Sequence, residues 1–135
     1  MPKPPMPQDV VDLLRRPNPA VMATVDLQGR PVTVATWYLL EDDGRVLLNL
    51  DGARARLTHL RANPDVSLTA LAENWYTHVS VQGRVVDISD DVDLADIDRL
   101  STHYGGNPYP VRDRPRVSVR VEIDRWHGWG ALRQD

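Results

Sequence analysis

Asp51-Gly52-Ala53-Arg54-Ala55-Arg56-Leu57-Thr58-His59-Leu60-Arg61-Ala62-Asn63-Pro64 follows directly on an apolar run, Val46 to Leu50. The run reads as a strand. The stretch reads as a tight turn opening a short helix from about Ala53 to Ala62, ended by Asn63-Pro64. Ala53, Leu57 and Leu60 recur at helical spacing and give it an apolar face. Three of the chain's fifteen arginines fall within eight residues here. The start of a helix presents unpaired N–H groups and the positive end of the dipole, so it favours an anion such as phosphate. Arg54 and Arg56 can add forked, charge-assisted hydrogen bonds. Residues two apart on a regular helix point to nearly opposite sides. Both reach one anion only if Arg54 lies before the first full turn, which Gly52 permits. The alternative is an ordinary solvated basic helix, and the stretch alone leaves both readings open.

Working back from this point, the chain reads as strands joined by short turns. Met1 to Pro7 holds four prolines and is expected to be a flexible arm, with a single domain over 8–135. Gln8 to Arg16 is a short amphipathic helix stopped by Arg16-Pro17-Asn18-Pro19. Ala20 to Leu27 is a strand, and Gln28-Gly29-Arg30 turns it into a second, Pro31 to Leu40, rich in β-branched and aromatic residues. Asp43-Gly44 is a strong hairpin signal before the third strand, Val46 to Leu50.

Beyond the helix, Val66 to Leu71 and Tyr76 to Ile88 are further strands, and Gly83 marks a bulge or bend in the longer one. Asp90 to Tyr104 is a helix with a Leu94, Ile97, Leu100 and Tyr104 stripe, capped by Ser89 or Asp90. Arg116 to Ile123 alternates, with Val117, Val119, Val121 and Ile123 inward and Ser118 and Arg120 outward. The sum is a mainly β chain with short helices, its six antiparallel strands closed or nearly closed into a small barrel.

Composition narrows the function. Net charge is −3 with no long basic run, which argues against nucleic acid as a partner. No cysteine is present, so thiolate metal sites and cysteine nucleophiles are excluded, and the four histidines do not share a metal-ligand spacing. No apolar stretch approaches the ~20 residues that span a bilayer, and no signal core follows Lys3; no membrane partner and a cytoplasmic location are the expectation. No nucleophile motif is visible.

Four motifs in order resemble the pyridoxamine 5'-phosphate oxidase-like split β-barrel superfamily of flavin and deazaflavin proteins. They are the hairpin Met22-Ala23-Thr24-Val25-Asp26-Leu27-Gln28-Gly29-Arg30-Pro31, the strand Ala35-Thr36-Trp37-Tyr38, the stretch from Ala53 through Asn63-Pro64-Asp65-Val66-Ser67, and Val81-Gln82-Gly83-Arg84-Val85. The resemblance covers roughly residues 8 to 126. The short length, the Trp-Tyr strand and the arginine-rich composition resemble the small actinobacterial-type branch that uses the deazaflavin coenzyme F420.

That resemblance implies a homodimer with two cofactor clefts at the subunit interface. It places the cofactor phosphate against the turn of Ala53, Arg54, Arg56 and Leu57, and the ring along Val32 to Tyr38, through Val34, Ala35, Thr36, Trp37 and Tyr38. The implied activity is an F420-dependent oxidoreductase, a reductase first, moving a hydride between F420 and a small unsaturated or quinone-like acceptor. FMN in the same barrel, a non-enzymatic F420 or flavin carrier, and a barrel without ligand are the alternatives. The chain departs from the family pattern at Arg56, where Lys is frequent, and at His59, where a small polar residue is frequent.

The residues themselves leave Trp37 and its neighbours open between core and cleft. Trp75 and Tyr76 can wall a ring site or staple the strand end, with interface packing the favoured reading; His78 reads as a structural histidine ahead of a proton donor; and Trp126-His127-Gly128-Trp129-Gly130 can close over a partner's cleft or pack in a dimer. No catalytic residue is singled out.

Overall fold

The computed structural model describes residues 1–132. Its elements are α1 (Gln8–Leu14), β1 (Ala20–Val25), β2 (Pro31–Thr36), β3 (Leu39–Leu40), β4 (Val46–Asp51), α2 (Ala55–Ala62), β5 (Asp65–Leu71), β6 (His78–Asp90), α3 (Ala95–Gly105) and β7 (Arg116–Trp129), with short 3-10 turns at Val92–Leu94 and Gly130–Leu132. The strands form one antiparallel sheet of seven in the order β2-β1-β5-β6-β7-β4-β3.

Seven strands, not six, arise because the apolar run Pro31 to Leu40 breaks. Its first part pairs with β1 at one end of the sheet, and its last two residues pair with β4 at the other. Trp37 and Tyr38 form the strap between them. No ladder joins β2 to β3, so the sheet curls without closing. Side chains hold the strap in place of ladder bonds. The Tyr38 N–H donates to the Tyr104 hydroxyl at 3.3 Å, and Asn18 Nδ2 donates to the Tyr38 hydroxyl at 2.9 Å. The Tyr104 hydroxyl itself donates to the Asn18 carbonyl at 2.7 Å.

The core lies inside the curl. Met22, Leu48, Leu68, Val79, Val81, Val119 and Val121 supply it from the strands, and Leu13, Leu14, Leu57 and Leu60 close it from α1 and α2. A second, smaller cluster of Leu47, Ile97 and Leu100 lies where α3 covers β4 from outside. This explains why Val46 to Leu50 is apolar without alternation: both faces of β4 are buried. Each fully buried leucine contributes about 2 kcal/mol of transfer free energy.

Several boundaries move. The α2 helix begins at Ala55, leaving Ala53 exposed in the turn and off the apolar face. Neither Ser89 nor Asp90 caps α3. Asp91 does so from further inside, its two carboxylate oxygens accepting the N–H groups of Asp96 (2.8 Å) and Ile97 (2.9 Å). Ser118, expected outside, is fully buried because its hydroxyl has a partner, Asp96 Oδ2, at 2.7 Å.

The last strand runs on to Trp129. Trp126 to Trp129 are paired with His78 to Val81 of β6 and belong to its ladder. Residues 1–7 form no helix or strand. Their Pro2 carbonyl accepts the Trp126 N–H at 3.0 Å, on the stretch of β7 that β4 is too short to reach. Gly83 sits at the bulge in β6, where a Cβ would lie 2.1 Å from the Glu122 carbonyl oxygen. No helix among the described residues is long and apolar enough to cross a membrane.

Candidate functional site

The break in the sheet makes a cleft of about 710 Å³. One wall is Val21 and Ala35 on the outer face of β1 and β2, joined by Thr36 at the end of β2. The opposite wall is Asn49 of β4, Arg116 of β7 and the Ile97, Leu100 and Tyr104 side chains of α3, and Tyr109 comes from the loop after α3. Trp37 stands at this split, 39% exposed. Its ring stacks on Tyr104 with centroids 5.3 Å apart and planes 13° apart, and meets Tyr109 edge-on at 6.4 Å. Tyr104 is hydrogen-bonded and burial pushes its hydroxyl up to about 12, so it is a neutral donor at ordinary pH.

The five strand positions taken for the ring site therefore divide. Ala35, Thr36 and Trp37 line the cleft. Val34 points the other way, packing against the core. Tyr38 is fully buried, with its hydroxyl held by Asn18 and raised well above its usual pKa by burial. Its ring belongs to the core because the strap turns at Trp37 and carries the next side chain inward. The sequence reading missed Asn49, Tyr109 and Arg116. A polar Asn inside Val46 to Leu50 was the available signal, since such a residue needs a reason to be there.

The arginine turn begins at the same end of β4. Asp51 is opposite Arg116 in the ladder, and its carboxylate organises the turn. It accepts the Ala53 N–H at 3.0 Å and holds the Arg114 guanidinium, with Nη2 to Oδ1 at 3.1 Å. These bonds, that to Arg114 first, hold its carboxyl far below the usual carboxylate range. Gly52 donates to the Pro115 carbonyl at 2.9 Å, and Arg54 to the Asp51 carbonyl at 3.0 Å.

Arg54 is in extended conformation at the helix entrance, before the first full turn, which is the condition for it and Arg56 to face one anion. No side chain caps α2. Arg54 is exposed, whereas Arg56 is half-buried, with its Nη1 shielded from solvent and without a partner. Burial and the nearby Arg54 charge lower the Arg56 pKa. His59, one turn on, also has a shielded Nδ1 without a partner. Leu57 faces the core and anchors the turn. Two adjacent guanidiniums, one with an orphaned buried donor, over an uncapped helix start suit a phosphate oxygen.

The other histidines lie apart from this turn, although His103 Nε2 on α3 is likewise shielded and without a partner. His78 Nδ1 lies 3.2 Å and 3.1 Å from the carbonyl oxygens of Trp75 and Tyr76, which requires it to donate and fixes the loop between β5 and β6. His127 is exposed beside Trp129, and His103 packs edge-on against Tyr104. Trp75 and Tyr76 are 69% and 57% exposed at the tip of that loop.

An open antiparallel sheet split along one edge, with an aromatic cleft at the split, is a split-barrel fold. The chain belongs to the pyridoxamine 5'-phosphate oxidase family, whose model matches residues 6–130. Among solved structures it is similar to an F420 reductase, with a TM-score of 0.81 and 27% identity over 90% of this chain and 98% of that one. It is similar in fold to a conserved hypothetical protein from Mycobacterium tuberculosis, with a TM-score of 0.74 and 21% identity over 100% of this chain and 96% of that one. A further likeness in fold is to General Stress Protein 26 from Bacillus anthracis, with a TM-score of 0.71 and 15% identity over 90% and 92% of the two chains. No curated protein is a significant match in sequence. The family has oxidoreductase members and binds flavin-type cofactors.

Proposed function

We propose that the protein is an F420-dependent oxidoreductase that works as a reductase on a small, planar, electron-poor acceptor. The observation that carries the reading is Arg56 Nη1, buried and unpartnered beside Arg54 at the uncapped start of α2. The 27% identical F420 reductase supports the choice of cofactor. Arg54 and Arg56 would hold the phosphate of F420, and Ala35, Thr36 and Trp37 would lie along its ring. F420, when reduced and bound, supplies a hydride from ring carbon 5.

The chain's own part is positional. Trp37, stacked on Tyr104, offers a rigid flat wall that orients a planar ligand, and the apolar faces of Ile97 and Leu100 exclude water. No acid or base of the chain is assigned to the reaction. The homodimer implied by the motifs is part of this proposal, and the exposed Trp75 and Tyr76 support it as surface a second copy could cover.

Turnover tests the reading: reduced F420 is mixed with protein and a panel of quinones and conjugated enones, and cofactor oxidation is followed by absorbance. Acceptor-dependent oxidation above the protein-free rate supports it. Tight F420 binding with no turnover on any acceptor would make the protein a carrier instead. Membership of the pyridoxamine 5'-phosphate oxidase family favours FMN as the second reading, and FMN binding with no affinity for F420 would establish it.

A further inference from the structure

We propose that Arg116 is a specificity-determining residue that reads an anionic oxygen on the planar substrate, and that Asn49 and Asp91 are the positioning residues that hold it there. The proposal rests on the functional reading above, in which the planar acceptor meets the cofactor ring in this cleft. Arg116 is the single charged side chain among the described residues lining the cleft, the remainder being apolar, aromatic or neutral polar.

Its guanidinium is fixed on two sides. Nε donates to Asn49 Oδ1 at 2.7 Å and Nη2 approaches the Asn49 carbonyl at 3.5 Å. The guanidinium carbon lies over the Tyr109 ring, 4.9 Å from its centroid. Nη1 has no hydrogen-bond acceptor among the described residues. The carboxylate opposite in the ladder, Asp51, is occupied by the fork of Arg114. A half-buried guanidinium in an apolar cleft with an open donor gains a strong charge-assisted bond from a ligand oxygen that carries charge.

The direction in which Arg116 points is set by a relay. Asn49 Nδ2 donates to Asp91 Oδ2 at 3.0 Å and lies 3.3 Å from Ser118 Oγ. A carboxylate only accepts, so Asp91 fixes which end of the amide it meets, and Oδ1 must face Arg116. Asp91 cannot turn away, because its oxygens also hold the N–H groups of Asp96 and Ile97 at the start of α3. The cap of a helix thereby orients an arginine in the cleft.

Two probes of the same shape test this without cofactor. The protein is titrated by calorimetry with 2-naphthoate and with its neutral isostere 2-naphthamide. The wild type is expected to bind the carboxylate about tenfold tighter. Arg116→Gln should bring the ratio to about one, and Arg116→Lys should retain part of it. Asn49→Ala should lower the ratio severalfold while thermal unfolding stays cooperative, an effect that loss of packing alone would not produce in a ratio of two isosteric ligands.

Equal affinities in the wild type, or binding of neither probe up to its solubility limit, would overturn the proposal. So would a fall in F420 or FMN affinity in Arg116→Gln as large as the fall for naphthoate, which would assign the guanidinium to the cofactor. Because the probe titration needs no cofactor, failure of F420 to bind and failure of the carboxylate preference are separate results.

Discussion

Asn49 Nδ2 and Asp91 Oδ2 are joined by a 3.0 Å hydrogen bond, and that bond ties the wall of the cleft to the start of α3. Both residues are buried, so neither has water as a substitute partner. Asp91→Ala removes the cap of α3 and leaves the Asn49 amide only its longer 3.3 Å contact with Ser118 Oγ. The expected loss is about 2–3 kcal/mol of stability, the sum of a lost cap and a lost buried hydrogen bond to a charged group. Urea unfolding of the variant and wild type measures it; a loss within about 0.5 kcal/mol, the range of an ordinary surface substitution, would show the bond is incidental.

Trp37 and Tyr38 are neighbours in sequence with opposite assignments. Tyr38→Phe removes a buried hydroxyl while Asn18 Nδ2 keeps its bond to the Leu13 carbonyl at 2.6 Å. The cost should be about 1 kcal/mol, with cofactor affinity unchanged. Trp37→Ala should weaken cofactor binding about fivefold to tenfold, the worth of a stacked ring. Titration of both variants, with unfolding run alongside, separates the roles; equal effects on affinity would place Tyr38 in the site.

Asp51 supplies a dependence on acid. Its folded pKa lies well below the ordinary aspartate value, through Arg114 first and the Ala53 N–H second. A group depressed on folding stabilises the fold above its unfolded pKa, and that contribution disappears as pH falls through the folded value. Stability should therefore decline below about pH 4, and Asp51→Asn should decline less steeply there. Thermal unfolding at a series of pH values from neutral to pH 2 checks the slope; parallel curves would mean that the exposed Arg114 pair contributes nothing.

Gly83→Ala is expected to be poorly tolerated. The added methyl would meet the Glu122 carbonyl oxygen of the paired strand, which belongs to backbone and cannot swing aside. A cost of about 3 kcal/mol or failure to fold is expected, seen as loss of expression in the lysate's supernatant or as a lowered unfolding midpoint.

The elements legible in the sequence were those set by local rules. Alternation marked β7, Asp43-Gly44 marked the β3–β4 hairpin, and Asn63-Pro64 marked the end of α2. The break at Trp37-Tyr38 was not legible, because Pro31 to Leu40 is rich in β-branched and aromatic residues and has no turn residue after Pro31. What divides it is long-range, the hydroxyls of Tyr38 and Tyr104 and the amide of Asn18. The candidate site followed the same division. Arg54 and Arg56 stood out in the sequence by their charge at a helix start. Asn49, Tyr109 and Arg116 are gathered by strand register and by the loop after α3, and no spacing in the chain joins them.

Whether the arginine turn and the aromatic cleft hold one cofactor is decided by a fluorescence titration with F420, with FMN as comparison. Wild type and Arg54→Ala/Arg56→Ala are titrated side by side. The wild type should bind F420 at micromolar affinity or tighter, and the double variant at least about tenfold more weakly, through the loss of two charge-assisted contacts. Equal affinity in the two proteins, or no F420 binding by either, would contradict a shared cofactor site.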